Sequence, residues 1–381
     1  MPISQPLAPS NARLRDRARA FAIEAGDRIL SEPPLDPSRG LNGFAGFALL
    51  FAALAEVTGA DRFTAAMHAK LRDAALMEDR PSIGLFGGIS GLRAVAALAI
   101  RSEARYSKLV AQCDAYVDRQ LTEQPRKAES FDRYDLISGW SGALLARGID
   151  APVEPGRLAE LIVWVLEDPD RWRCPHPLRP DDPPVNDLGL AHGVSGMLAA
   201  LTLTLNRLEG EPARAAAQTL RELCEWRIDR GNRVVWPPVI STHLEQSYRS
   251  AWCYGAAGVL AVIHNAAVAL HDGETAAFAA DAMQALAAQT PDSWELEGEA
   301  ICHGLIGNAL CFASIASATG SAALWSAAFR VAERVMDRVS LKHYDAVGLL
   351  DGISGIALAL LTLTGHTGAA WMRLFGLRPI S

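Results

Sequence analysis

The chain has 381 residues, half of them apolar and 21% charged, so it can bury a sizeable core and is not a disordered polypeptide. Its 36 Lys and Arg against 43 Asp and Glu leave a net charge of −7. With no long run of like charge, this argues against a nucleic-acid-binding surface. Aromatic residues are only 7%, and runs rich in β-branched residues are few, so an all-α fold is expected.

The first thirty residues lack the basic-then-apolar layout of a secretory signal. Ala12–Leu30 reads as an amphipathic helix. It is followed by the first of seven Gly-x-x-Gly elements: Gly43–Gly46, Gly88–Gly91, Gly139–Gly142, Gly193–Gly196, Gly255–Gly258, Gly304–Gly307 and Gly352–Gly355. Their first glycines are 45, 51, 54, 62, 49 and 48 residues apart. One such element carries no information, but seven at near-constant spacing, each opening an apolar run, define a repeat.

Each interval has room for two helices of about four turns. Asp61–Leu76, Ser107–Leu121, Glu211–Arg230 and Glu274–Gln289 are charged and amphipathic like Ala12–Leu30, whereas the runs after the glycines are apolar nearly all round. A helix apolar on every side is buried, and one with a charged face lies outside. The expected fold is therefore an α/α toroid of seven inner and seven outer helices, formed by residues 1–381 as one domain. An open solenoid would need polar end-caps, and the first and last inner helices are as apolar as the rest. The glycines are expected to let backbones crowd together and to permit φ > 0 in the turns.

Two stretches break the order. Glu167–Gly189 holds six prolines and cannot be regular helix, and Arg233–Ser250 contains Pro237-Pro238 and then turns polar. Long ordered loops of this kind tend to be functional. No stretch reaches the ~18 uninterrupted apolar residues of a membrane span. The most apolar run, Gly43 to Ala55, stops at Glu56, so a cytoplasmic protein is expected.

Equivalent positions in a ring of repeats lie at one rim. The residues just before the first glycines are Asn42, Gly87, Ser138, His192, Tyr254, His303 and Asp351, and one step further back stand Cys253 and Cys302. Cys253, Cys302 and His303 thus come from adjacent repeats at one rim. Two thiolates and an imidazole suit zinc and leave its fourth position open. Taken singly, each cysteine reads as a small apolar filler, the reading kept for Cys113, Cys224 and Cys311. His192 alone reads as a structural histidine, and its equivalence to His303 makes it a site candidate. The other histidines, among them His243, His264 and His343, read as surface or structural. Cys174 and His176 lie in a polar loop without further ligands and are not read as a metal site.

Ala191-His192-Gly193, Trp252-Cys253-Tyr254-Gly255 and Cys302-His303-Gly304, in this order on seven Gly-x-x-Gly repeats, resemble the lanthionine synthetase C-like family of lanthipeptide cyclases. The resemblance covers nearly the whole chain, and Trp236-Pro237 adds to it. It implies an α/α toroid, Zn2+ on Cys253, Cys302 and His303, and an active site of His192, Asp135, Arg249 and Tyr254. It also implies a reaction: addition of a peptide cysteine thiol to dehydroalanine or dehydrobutyrine, closing a lanthionine or methyllanthionine ring. In that reaction Arg249 would neutralise the enolate and His192 would protonate it, with Asp135 fixing the imidazole's tautomer and raising its pKa. The implied partners are a dehydrated precursor peptide as substrate and a separate dehydratase. A membrane-associated biosynthetic complex also fits the family. The rival reading is a non-catalytic zinc-bearing protein that binds glutathione or a peptide thiol. A terpene-cyclase or prenyltransferase toroid would need a carboxylate zinc ligand or Asp-rich motifs, and neither stands at the rim.

Overall fold

The computed structural model describes residues 10–32, 38–100, 106–123, 131–175, 181–231, 233–241 and 248–380. Fourteen α-helices among them alternate between an inner and an outer ring. The outer set is α1 (Ser10–Ser31), α3 (Asp61–Leu76), α5 (Ser107–Glu123), α7 (Arg157–Leu166), α9 (Gly210–Glu225), α11 (Gly273–Ala287) and α13 (Ala322–Arg338). The inner set is α2 (Phe44–Thr58), α4 (Ile89–Ile100), α6 (Trp140–Arg147), α8 (Val194–Thr204), α10 (Ala256–Ala269), α12 (Leu305–Thr319) and α14 (Ile353–Leu363). Every residue of α14 is buried, whereas α9 buries Ala215, Ala216, Thr219, Leu220 and Leu223, a single stripe at helical spacing. Each inner helix packs on the next, and α14 returns to α2, so the ring closes.

A second circuit, made of backbone, runs around the rim from which the inner helices start. Leu41 N–H donates to Leu85 O at 3.1 Å, Leu85 N–H to Ile137 O at 3.0 Å, and Leu136 N–H to Ala191 O at 3.1 Å. Leu190 then donates to Cys253 O at 2.8 Å, Cys253 to Cys302 O at 3.0 Å, and Cys302 to Leu350 O at 3.1 Å. The last link is made by a side chain: Leu350 N–H donates to Asn42 Oδ1 at 3.2 Å. Asn42, just before the first glycine of the first repeat, thus supplies the acceptor that completes the circuit.

The second glycine of each element has a steric reason. A Cβ on Gly46, Gly142 or Gly307 would come 1.8, 2.1 or 2.1 Å from the carbonyl oxygen of Leu41, Leu136 or Ile301. Backbone crowding is therefore the general cause. The expected positive φ is found only at Gly255 (+104°) among the fourteen motif glycines. Serines at the third position of the motif tie the turn down, as where Ser195 Oγ donates to Leu188 O at 2.7 Å.

Two features lay outside the repeat reading. The fifth outer helix stops at Glu225, not Arg230, because Gly231 (φ +63°) turns Ile228–Arg230 (β3) back onto Arg233–Val235 (β4). The proline-rich loop and the later irregular stretch meet in a small antiparallel sheet, β1 (Arg173–Cys174), β2 (Val185–Asp187) and β5 (Val239–Ile240), in the order β1-β2-β5. The centre of the toroid is also filled from the C-terminus. Phe375 meets Phe86, Trp252 and Trp371 edge-on at 5.3, 5.3 and 5.4 Å, and Trp252 Nε1 donates to its carbonyl at 2.8 Å. Among the described residues no helix is long and apolar enough to cross a membrane.

Candidate active site and metal centre

All seven inner helices begin at the rim that carries the backbone circuit, so their N-termini and positive dipole ends face one place, which favours an anion there. Cys253, Cys302 and His303 stand on that rim just before α10 and α12. Their ligand atoms all lie within 4.8 Å of one another. The direct bond from Cys253 N–H to Cys302 O fixes the two segments side by side.

The charge of this trio is shared unevenly. A hydrogen bond from Cys302 works with His303 against burial to lower the Cys253 thiol to about 6. The same bond to Cys253, together with burial, pushes the Cys302 thiol well up. His303 is raised by its hydrogen bond to Cys253. Arg249 adds a positive charge that favours the Cys253 thiolate, and it pairs with Glu297 at 3.1 Å. Two sulfurs and an imidazole held this closely, one of the sulfurs already disposed to ionise, form a donor set suited to zinc.

His192 lies one repeat away, and Ala191 N–H beside it donates to the carbonyl of Cys253 at 3.3 Å. Its Nδ1 is 2.6 Å from Oδ2 of Asp135, which is fully buried and whose Oδ1 accepts Ser138 N–H at 2.6 Å. Burial opposes the imidazolium, but the Asp135 hydrogen bond and charge outweigh it, so His192 is raised above its ordinary value. Burial likewise raises Asp135 despite its partner. The carboxylate at Nδ1 fixes the orientation of the imidazole. Tyr254 lies beside His192, with ring centroids 6.4 Å apart, and its hydroxyl donates to Asp187 Oδ2 at 2.7 Å. Burial and the Asp187 charge raise its phenol.

The structure therefore brings all seven sequence-derived residues to one rim. It adds three that sequence reasoning left out. Asp351 stands at the same rim position as His192, Tyr254 and His303, with its Oδ1 4.0 Å from His303 Nδ1. That equivalence was a usable signal. Glu297 holds Arg249 and donates its backbone N–H to His303 O at 2.9 Å. Asp187, at the end of β2, is buried and pushed up to about 6 by desolvation. It stands six residues before the first glycine of its element, as Arg249 does, so repeat equivalence was a usable signal here too. Cys113 and Cys311 are buried and apart from the cluster, and Cys224 is half-buried. Cys174 is buried in β1, while His176 and His243 lie outside the described residues.

Comparison with known proteins decides the family. The model of the lanthionine synthetase C-like proteins matches residues 36–375. The chain belongs to that family. Among solved structures, nisin cyclase superposes with a TM-score of 0.78 at 15% identity, covering 96% of this chain and 97% of that one. At that identity the likeness shows the shared fold, the α/α toroid of the lanthionine synthetase C-like proteins. An α-1,6-mannanase of Salegentibacter reaches a TM-score of 0.41 at 10% identity, covering 93% of this chain and 98% of its own, too low to carry an argument.

Proposed function

We propose that this lanthionine synthetase C-like protein is a zinc-dependent lanthipeptide cyclase. It adds a cysteine thiol of a dehydrated precursor peptide to dehydroalanine or dehydrobutyrine. The observation that carries this reading is the His192–Asp135 pair at 2.6 Å, set one repeat from the Cys253, Cys302 and His303 cluster. A thiol-binding protein needs the cluster but has no use for a carboxylate-oriented imidazole beside it.

Cys253, Cys302 and His303 would hold the zinc, whose Lewis acidity would make a thiol of pKa about 8.5 available as thiolate at neutral pH. The rest falls to the chain's own side chains. Sulfur bonds to the β-carbon as the C=C π pair moves toward the carbonyl, leaving an enolate. Arg249, which already favours an anion on Cys253, supplies the positive charge that stabilises it. His192, protonated and oriented by Asp135, gives its Nε2 proton to the α-carbon. Solvent then restores to the imidazole the proton that the thiol released, so the peptide keeps its mass.

Dehydration of Ser and Thr is a different reaction, so a dehydratase is the expected partner. All six cysteines are free, which fits the reducing cytoplasm. The test is a time course of thiol alkylation on a dehydrated, cysteine-containing peptide, with and without a zinc chelator. Thiol loss that the chelator stops supports the reading; no loss with several such peptides favours the thiol-binding alternative.

A further inference from the structure

Asp187 is not among the sequence-derived site residues, yet it is only 2% exposed and both its oxygens are engaged. Oδ2 accepts the Tyr254 hydroxyl at 2.7 Å and Oδ1 accepts Gly189 N–H at 2.7 Å. The backbone around it is cut to admit this arrangement. A Cβ on Gly189 would come 2.6 Å from two atoms of the Tyr254 ring, and one on Gly193 would come 2.4 Å from Asp187 Oδ1. The same stretch grips the neighbouring ligand segment, since Leu190 and Ala191 N–H both donate to Cys253 O, at 2.8 and 3.3 Å. The Tyr254 hydroxyl is the donor in this bond and the Asp187 oxygen the acceptor. A phenol has one proton, and here it is committed to Asp187. The tyrosine oxygen is left able to accept a hydrogen bond and unable to give one.

We propose that Asp187 is a positioning residue of the cyclisation site. It takes the Tyr254 hydroxyl proton and docks the tyrosine against the Asp187–Ala191 stretch. Tyr254 then shapes the site and accepts a hydrogen bond, while His192 alone gives the proton to carbon. This inference rests on the cyclase reading and gives Tyr254, the phenol beside His192, a part other than proton donation. Burying a carboxylate is costly unless it is well bonded, and a tyrosine could be anchored by a backbone carbonyl at lower cost. What a buried carboxylate adds is a charge-assisted bond, stronger than one to a neutral carbonyl.

The test is a double-mutant cycle on the zinc-loaded full chain with Asp187→Asn and Tyr254→Phe, read as kcat and KM for thiol consumption and as zinc content. Asparagine keeps an oxygen for Gly189 N–H, so the turn itself is retained. Each single variant should lose about tenfold in kcat, with KM nearly unchanged and zinc retained. The double variant should be no more than about twofold worse than the poorer single, because both remove one interaction. Losses that multiply overturn the proposal. So does a Tyr254→Phe variant as impaired as His192→Asn, since the phenol would then be the acid. Should Asp187→Asn not fold, Tyr254→Phe alone decides: unchanged kcat overturns the proposal. A wild type that consumes no thiol overturns the cyclase reading and this inference with it, whereas an active wild type with multiplicative losses overturns this inference alone.

Discussion

Asp135→Asn separates an orienting carboxylate from a merely structural one. The substitution keeps the shape of a fully buried side chain and an oxygen for Ser138 N–H, and removes the charge that faces His192 Nδ1 at 2.6 Å. A hydrogen bond to a charged partner contributes about 1.5–3 kcal/mol. That is a factor of roughly 10 to 100 in the imidazolium population wherever His192 is titrating. The sign follows from the raised pKa of His192: the acid form is present below that pKa and lost as pH rises through it. In the variant, the fall in activity should therefore begin at lower pH. Cyclisation rates of variant and wild type should converge in acid and separate by about 10- to 100-fold above neutrality. Cyclisation leaves mass unchanged, so rates are read by alkylating residual thiols over time, with zinc measured on both proteins. A constant ratio across pH, or no loss at all, would refute the role given to Asp135.

Cys253→Ala should lose zinc and cyclisation together while its helical circular dichroism persists; undiminished zinc by metal analysis would remove Cys253 from the ligand set. Asn42→Ala removes the side-chain acceptor that closes the rim circuit and should cost about 1 kcal/mol in urea unfolding, while Asn42→Asp, which keeps an oxygen, should cost less. Two Gly→Ala changes should act in opposite directions in the same assay. Gly307→Ala forces a Cβ to 2.1 Å from Ile301 O and should destabilise by about 1–3 kcal/mol or more. Gly273→Ala, in open space at the start of α11, should stabilise by about 0.4–1 kcal/mol.

The toroid was legible because its period is written in the chain: crowding against a carbonyl demands glycine at Gly46, Gly142 and Gly307, and burial demands apolar helices after them. The metal cluster was legible for the same reason, since repeat equivalence places Cys253 on one rim with Cys302 and His303 although it lies a whole repeat earlier in the sequence. Asp351 carried that signal as well. So did Asp187, six residues before Gly193 as Arg249 is before Gly255, but the three-stranded sheet that buries it joins two irregular loops, and the pairing of two- and three-residue strands leaves no periodic trace. The aromatic plug at Phe375 was hidden for a related reason: it follows the last repeat and is held by contacts to Phe86 and Trp252, far away in sequence.

The central claim is that this rim performs acid–base chemistry on a captured thiol and does more than bind it. Thiol consumption by wild type and His192→Asn, on one dehydrated peptide and at equal zinc content, tests that claim most directly. Wild type should consume the thiol, while the variant binds the peptide and cyclises it about 10²–10⁴-fold more slowly. Equal rates in the two proteins, or no consumption by either, would contradict it.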